Sequence, residues 1–561
     1  MYRQYLKKSE FESYEDFREN FTLHAPETFN FAFDVVDRYA AESPDKTALF
    51  WVNDAGEERR FSFSDISKLS NQTANFFTKL GIRKGDYVML ILKRRFEYWS
   101  CAVALHKIGA VAIPATHQLT EKDIIYRNNA ADVKMIVSVN DDSITASIDK
   151  SLADSPTLEH RVLVGGERDG WLSYDESILS MPDTFTRPCG EAGTCARDPM
   201  ILYFTSGTTG MPKMVQHTYE YPLAHIITAK YWQNVGENEL HMTVADSGWA
   251  KFSWGKLYGQ WLCGAVVFAY DMEKFVPAKV LELIEKYDVS TFCAPPTIYR
   301  FFIKEDLTKY HFRKLRYCTI AGEPLNPEVY NQFLKATGLK LHEGFGQTET
   351  VVQIANFLWV DPKPGSMGKP SPLYGIEIVD ENGSVCDPGV KGEITIRTGA
   401  EHTIGLFSGY YRDPATTDKT FRGGVYHCGD ISWVDEDGYC WFEGRTDDVI
   451  KSSGYRIGPF EVESALLTHP SVLECAITAV PHPVRGQVVK ATIVLAKGHQ
   501  ASQELCTALQ EHVKKVTAPY KYPRIIDFVT ELPKTISGKI RRVQIREHDA
   551  TPGLANPSAR T

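Results

Sequence analysis

Apolar runs of strand length alternate with amphipathic segments along the first 350 residues of the chain. The runs Tyr87–Leu92, Ala110–Pro114 and Val133–Val139 are almost wholly apolar, which is typical of strands buried on both faces. Segments with helical spacing of apolar positions separate them at Tyr98–Ile108 and Glu121–Asn128. Because strands that alternate with helices pair in parallel, the pattern predicts a large α/β domain of layered sheets covered by helices.

Other segments of this region fit the same pattern. Phe63–Lys79 is expected to form a helix that begins at Ser64, just before Asp65. The apolar run Trp261–Tyr270 predicts a buried strand, since it is shorter than the ~20 residues that a membrane helix needs. Helices are also predicted at Phe29–Ala41, Ala278–Tyr287 and Pro327–Thr337, and strands at Thr47–Val52, Ile201–Phe204 and Thr291–Cys293.

The last third of the chain has a different pattern. Gly, Asp and Pro interrupt short strand-like runs such as Gly392–Thr398, which predicts a small β-subdomain at about 375–445 inside an N-terminal domain of residues 1–445. Residues 446–561 predict a small α+β domain. Its expected elements are the helices Pro459–Thr468 and Ser502–Val516 and the strands Leu473–Val480, Val488–Leu495 and Arg524–Phe528.

Composition places the chain among soluble globular proteins. It has 561 residues, too many for one ordinary core, with 43% hydrophobic and 24% charged residues. The first twenty residues lack the apolar core of a signal peptide and carry too many acids for a transit peptide, so we expect a cytoplasmic protein without membrane insertion. Eleven cysteines without zinc-site spacing predict reduced thiols.

The charge of the chain is unevenly distributed. The net charge is −9, which argues against nucleic acid as a partner. From Thr446 onward there are 15 Lys and Arg against 11 Asp and Glu, a net of +4, so the preceding residues carry −13 (−9 minus +4). This asymmetry predicts that the small domain holds an anionic ligand.

The stretch from Tyr203 to Lys213, YFTSGTTGMPK, carries the first candidate chemistry. Its small residues let backbone N–H groups and hydroxyls approach an oxyanion, and Lys213 adds a positive charge. It is not the NTPase P-loop, because Gly207 and Gly210 are too close together and Met214 follows the lysine. A plain surface turn is the alternative. The loop residues are Thr205, Ser206, Gly207, Thr208, Thr209 and Gly210.

Five further stretches are too polar for ordinary core segments. Two of them, AGEP and EGFGQTET, combine glycines with acids, and we expect EGFGQTET to be a turn. The five stretches begin at Ala321 (AGEP), Glu343 (EGFGQTET), His427 (HCGD), Gly444 (GRTDD, leading into KSSGYR) and Leu532 (LPKTISGK).

In this order and spacing, the six stretches resemble the acyl-adenylate-forming superfamily of acyl-CoA synthetases, peptide-synthetase adenylation domains and beetle luciferase. Four motif sequences are most similar to those of the medium-chain acyl-CoA synthetases: TSGTTGMPKMVQH, EGFGQTET, TAPYKYPR and LPKTISGKI. The resemblance implies that a carboxylate and ATP give acyl-AMP and pyrophosphate, after which CoA takes the acyl group and AMP leaves. It also implies Mg²⁺, a place in fatty acid and lipid metabolism, and a small domain that rotates between the two steps.

The resemblance implies an ATP site made from both domains. Thr205 to Gly210 and Lys213 would cradle the β- and γ-phosphates. Thr348 would touch the α-phosphate and Glu349 would hold Mg²⁺, while Lys539 would stabilise the transition state at the α-phosphate. The remaining expected ATP contacts are Gly322, Glu323, Pro324, Glu343, Gly344 and Phe345 around the adenine, Asp430, Arg445 and Arg456 at ribose or phosphate, and Gly346 and Gln347.

The same resemblance assigns the hinge to Asp447 and a CoA site to the small domain. Gly346 stands where a tryptophan closes the pocket of acetyl-CoA synthetases, which predicts a small to medium-chain acid, branched acids included. Trp249 and Gln118 are further pocket candidates. The sequence allows three roles for the nearby Lys251 and Lys256: facing solvent, pairing with an acid, or narrowing the acyl pocket. The expected CoA contacts are Ser453, Gly454, Tyr455, Arg485, Lys514 and Tyr522.

Two alternatives remain at this point. One is an adenylating ligase that uses a carrier-protein thiol, although no carrier domain follows the small domain. The other is a nucleotide-binding protein without catalysis, against which Lys539, Glu349 and Asp430 argue. The sequence leaves the oligomeric state and the physiological acid open.

Overall fold

A computed structural model describes residues 1–205, 211–398, 403–452, 455–534 and 540–550 of the protein, with the side chains of Arg456 and Ala550 left aside. Two large sheets with parallel interiors form most of it. The first has seven strands, and only its last pair is antiparallel. In spatial order these strands are Leu172–Ser173, His160–Val164, Val133–Val139, Tyr87–Ile91, Val111–Pro114, Pro199–Thr205 and Lys213–Thr218.

The second sheet has nine strands, parallel in the middle and antiparallel at both edges. Its order leaves the carboxyl ends of several parallel strands at one edge, where open α/β sheets bind ligands. In spatial order the strands are Lys369–Pro370, Val352–Ala355, Leu341–Gly346, Tyr317–Ile320, Thr291–Ala294, Leu240–Thr243, Val266–Asp271, Thr47–Asn53 and Glu58–Ser62.

Helices cover both sheets and bury their apolar faces in the three cores that lie against the sheets. The longest described helix, Phe63–Lys79, has 17 residues, and none in the described ranges is long and apolar enough to cross a bilayer. The α- and π-helices before residue 446 are Tyr14–Asn20, Ala32–Asp37, Arg38–Glu42, Phe63–Lys79, Glu97–Ile108, Glu121–Ala131, Asp142–Lys150, Tyr174–Leu179, Tyr221–Ile226, Ile227–Trp232, Ala250–Lys256, Tyr258–Leu262, Pro277–Lys286, Pro296–Phe302, Pro327–Thr337 and Pro414–Thr420.

Two smaller units follow. An antiparallel sheet contains Gly375–Val379, Gly392–Arg397, Val425–Val434 and Cys440–Arg445. The last unit has its own apolar core, separate from those of the large sheets. It comprises the strands Ile450–Ser452, Tyr455–Ile457, Val472–His482, Gly486–Leu495 and Ile525–Val529 and the helices Pro459–Leu467, Gln503–Val516 and Arg542–Ala550. The predicted fold class is confirmed.

Three local predictions are wrong. The helix Phe63–Lys79 is capped by Ser62, not by Ser64, because Ser62 and Asp65 form a reciprocal capping box. The run Trp261–Tyr270 is split between the end of a helix at Leu262 and a strand from Val266, with Gly264 at positive φ between them. The stretch EGFGQTET is a turn only in its second half, since Leu341–Gly346 is a strand.

Candidate functional site

The phosphate-loop candidate joins two paired strands. Pro199–Thr205 and Lys213–Thr218 are antiparallel, with Thr205 opposite Lys213, so the two strands form a hairpin. Ser206, Gly207, Thr208, Thr209 and Gly210 lie outside the described residues. Lys213 is exposed at the start of the returning strand, where its cation is accessible to a ligand.

Tyr410, which the sequence patterns did not single out, links Lys213 to Glu349. The Lys213 Nζ lies 4.7 Å from the centre of the Tyr410 ring, and the Tyr410 hydroxyl donates a 2.9 Å hydrogen bond to Glu349 Oε1. Burial and the Glu349 carboxylate raise the pKa of Tyr410, so the phenol stays protonated and donates. Mg²⁺ prefers one or two carboxylates together with phosphate oxygens as ligands, so Glu349 fits the predicted role of a Mg²⁺ ligand.

Thr348 is tied to the strand that Lys213 begins. His217 of that strand is buried, and its Nε2 donates a 2.6 Å hydrogen bond to the Thr348 carbonyl. The ring also stacks on Tyr221, with centroids 4.0 Å apart. Burial lowers the pKa of His217 to about 4, so the imidazole is neutral near pH 7. The QTET turn and the phosphate hairpin are therefore held together by a buried contact.

Asp430 and Arg445 are opposite each other on adjacent strands, and Arg445 Nη1 lies 3.2 Å from Asp430 Oδ2. Gln347 Nε2 donates to the same carboxylate oxygen, and Tyr426 in turn donates to Gln347 Oε1 at 2.6 Å. Asp430 is buried, with 4% of its surface exposed. The structure thus brings together the predicted ribose contacts and Gln347.

Glu343 is the predicted adenine contact whose carboxyl has a strongly shifted pKa. Its side chain is buried within the strand Leu341–Gly346, and burial raises the pKa of its carboxyl to about 8. Its Oε2 has no hydrogen-bond partner among the described residues. A neutral carboxyl at this place can both donate and accept a hydrogen bond.

The other adenine candidates shape the loop after the strand Tyr317–Ile320. Gly322 is exposed at φ 110°, a conformation that favours glycine. The Glu323 carboxylate pairs with Arg300 at 3.3 Å, and Pro324 follows it. Lys251 donates to the Ala321 carbonyl, so it supports this loop and does not simply face solvent.

The structure changes the interpretation of the acyl-pocket candidates. A Cβ on Gly346 would lie 2.7 Å from the Val351 carbonyl oxygen, so the backbone there requires glycine whatever the size of the pocket. Trp249 is half-buried at the start of the helix Ala250–Lys256, whereas Gln118 is exposed. Lys256 is fully buried and its amine lies 3.4 Å from the Ala245 carbonyl; burial lowers its pKa to about 7.

Aromatic and cationic side chains cluster at one edge of the small unit. Tyr455 stacks on Tyr520 with centroids 4.1 Å apart, and Lys514 Nζ lies 4.3 Å from the Tyr522 ring centre. Arg485 precedes Gly486, which pairs with Ser452 of the strand beside Tyr455. Ser453 and Gly454 lie outside the described residues, as does the side chain of Arg456.

The hinge candidate Asp447 is exposed, and its buried neighbour Asp448 is held by the small unit. Arg546 Nη1 donates a 2.5 Å hydrogen bond to Asp448, and Arg542 Nη1 lies 3.7 Å from it. Both arginines belong to the helix Arg542–Ala550. Lys539 itself lies outside the described residues.

Two family models match the chain: the AMP-binding enzyme model at residues 36–411 and the AMP-binding enzyme C-terminal domain model at residues 461–539. Among solved structures, the anthranilate CoA ligase AuaEII in complex with anthranoyl-AMP matches with a TM-score of 0.85 and 30% identity, over 93% of this chain and 98% of that one. The Brucella canis acyl-CoA synthetase matches with a TM-score of 0.73 and 30% identity, over 96% and 99%.

Two curated relatives from Rattus norvegicus are similar along almost their whole length. The mitochondrial acyl-coenzyme A synthetase ACSM3 is 43% identical over 96% of this chain and 94% of its own, and ACSM4 is 44% identical over 93% and 91%. Their names contradict the expected cytoplasmic location, and that prediction is wrong. It rested on the first twenty residues, which pack into the core through Tyr2, Tyr5 and Phe17 and whose composition therefore reflects folding.

Proposed function

Because the chain belongs to the AMP-binding enzyme family, we propose that it is an ATP-dependent acyl-CoA synthetase that acts in mitochondria on a small to medium-chain carboxylic acid. The observation that carries this proposal is a series of contacts that links Lys213, Glu349 and Asp430, in a chain similar to acyl-CoA synthetases along 96% of its length. Tyr410 contacts both Lys213 and Glu349, and Gln347 of the same turn as Glu349 donates to Asp430. The curated relatives are named acyl-coenzyme A synthetases, which also favours free CoA over a carrier-protein thiol as the acceptor.

In the first step the substrate carboxylate attacks the α-phosphorus of ATP and pyrophosphate leaves. No protein nucleophile is needed, because the carboxylate oxygen forms the new bond. Lys213 and the loop from Thr205 to Gly210 bind the departing phosphates, and Thr348 orients the α-phosphate. Glu349 would hold Mg²⁺, which would offset phosphate charge, while Lys539 stabilises the charge that develops at the α-phosphate.

In the second step the CoA thiol attacks the acyl carbonyl and AMP leaves. The aromatic and cationic edge of the small unit supports this assignment, since Tyr455 and Tyr522 offer faces for stacking and Lys514 and Arg485 offer charge for phosphates. The unit reaches the acyl-AMP by rotation about Asp447.

The acid pocket lies beside Trp249. Size alone does not define it, because Gly346 is required by the backbone and Lys256 is buried close by. The substrate panel therefore includes straight, branched and aromatic acids, since the anthranilate CoA ligase is a structural relative.

The test is pyrophosphate release with each acid, with and without CoA, followed by mass analysis of the thioester. We expect acid-dependent release and a CoA thioester with at least one acid. Absence of release across the panel would reject the enzyme assignment, and release without thioester would favour another acceptor. Lys539→Ala is expected to abolish release yet retain thioester formation from supplied acyl-AMP.

A further inference from the structure

Tyr410 occupies the space between two oppositely charged residues of the proposed site. Its ring lies under the Lys213 ammonium at 4.7 Å, and its hydroxyl is bonded to Glu349 at 2.9 Å. The side chain is 7% exposed and packs edge-on against Phe407 with centroids 4.9 Å apart. The ring is therefore held by the core.

The backbone around Tyr410 is anchored to both charged residues. Tyr410 forms a β-bridge with Val215, two residues beyond Lys213 on the returning strand of the phosphate hairpin. Phe407, three residues earlier, donates its N–H to the Glu349 carbonyl at 2.8 Å. The segment thus fixes the position of the ring relative to the hairpin and the QTET turn.

The two contacts have different consequences. In the part of the chain that the structure describes, Tyr410 is the one hydrogen-bond donor to the Glu349 carboxylate, so it orients the carboxylate and leaves Oε2 for a cation. Lys213 and Glu349, both within the described residues, form no ion pair, although both contact Tyr410 and their opposite charges attract each other. Such a pair would occupy the two charges that phosphate and metal need.

We infer that Tyr410 is a positioning residue for adenylation: its ring separates Lys213 from Glu349, and its hydroxyl orients Glu349 toward Mg²⁺. The inference rests on the proposed function. In this role Tyr410 acts through these two side chains.

Two substitutions separate the contacts. Tyr410→Phe keeps the ring under Lys213 and removes the hydroxyl. We expect its Mg²⁺ requirement for binding a non-hydrolysable ATP analogue to rise roughly tenfold, the loss typical of a hydrogen bond to a charged group, with affinity at saturating Mg²⁺ little changed. Tyr410→Leu removes both contacts and lets Lys213 pair with Glu349, so affinity is expected to fall at saturating Mg²⁺ as well.

The binding is measured by calorimetry over a range of Mg²⁺ concentrations, alongside pyrophosphate release. Tyr411→Phe is the matched control, because Tyr411 packs against Tyr87 with centroids 5.1 Å apart and does not contact Glu349. An unchanged Mg²⁺ requirement in Tyr410→Phe, or Tyr410→Leu behaving like Tyr410→Phe, would overturn the inference. Lack of activity in the unaltered enzyme would instead reject the proposed function, which the binding measurement does not require.

Discussion

Glu343 shows how burial changes the pKa of a single side chain and, through it, the pH dependence of stability. Its carboxyl has a reference pKa of 4.5 and a folded pKa of about 8. Between these values the unfolded chain releases a proton that the folded chain keeps, so the contribution of Glu343 makes the free energy of unfolding decrease as pH rises. Below pH 4.5 both states are neutral and this dependence disappears.

Glu343→Gln should remove this dependence, because the amide is similar in shape and does not ionise. Relative to the variant, the unaltered enzyme should lose stability steadily from about pH 5 to pH 8. Denaturant unfolding of both proteins at several pH values measures the difference. Glu381→Gln, in an exposed turn, is the control for general effects of charge. A difference between Glu343→Gln and the unaltered enzyme that is constant with pH would contradict the assignment.

His217 is a second residue whose role depends on burial. His217→Phe removes the hydrogen bond to the Thr348 carbonyl and leaves a partly buried acceptor without this donor, at a cost of up to about 1–3 kcal/mol. We expect pyrophosphate release to slow by about tenfold or more, because Thr348 and Glu349 shift together.

His217→Gln, which keeps a donor, should restore part of the rate. The rate should not follow a His217 titration between pH 6 and 8, because the pKa of His217 is about 4. Steady-state rates over this pH range test both statements. Equal loss in the Phe and Gln variants would show that the donor is not what matters.

At the scale of an element, the helix Phe63–Lys79 depends on its first turn. Ser62 accepts from the Asp65 N–H, and Asp65 accepts from the Ser62 N–H, so two otherwise unpaired donors are satisfied. Ser62→Ala should therefore lower the free energy of unfolding by about 1 kcal/mol. Ser64→Ala is the control and should have little effect, since Ser64 lies inside the first turn. Thermal unfolding distinguishes them, and a larger effect of Ser64→Ala would contradict the capping assignment.

At the scale of the whole molecule, the proposed mechanism requires the small unit to move between the two steps. Asp447 lies between Arg445, which contacts Asp430, and Asp448, which is held by Arg546. Its neighbours are thus anchored to different units, which suits a hinge. Asp447→Pro should slow the CoA step selectively, because proline fixes φ near −65°.

Asp447→Ala is the matched control, since it removes the carboxylate without restricting the backbone. We expect it to keep both steps within a few-fold of the unaltered enzyme. Pyrophosphate release and thioester formation from supplied acyl-AMP are measured separately. Equal slowing of both steps by Asp447→Pro would argue against the hinge.

Local patterns predicted most elements because each depends on nearby residues. The helix Pro327–Thr337 and the strand Val133–Val139 have the expected bounds, since apolar periodicity and flanking Pro or Gly act within a few residues. The run Trp261–Tyr270 was misassigned because apolar residues buried in a helix and in a strand look alike over such a length. The site residues were predicted from the order of the motifs along the chain. That order indicates the chemistry of each residue but not which residues it contacts.

By itself, the sequence predicted the kind of site: small residues and Lys213 for phosphates, Glu349 for a cation, and a basic small unit for an anionic ligand. Only the tertiary structure decided how these groups are held. Tyr410, His217 and Gln347 act through contacts between distant segments. The neutrality of Glu343 and the need for glycine at 346 likewise arise from burial and backbone approach. Such properties depend on the residues that surround a side chain in space. Most of these residues are distant in sequence, so local sequence patterns do not reveal them.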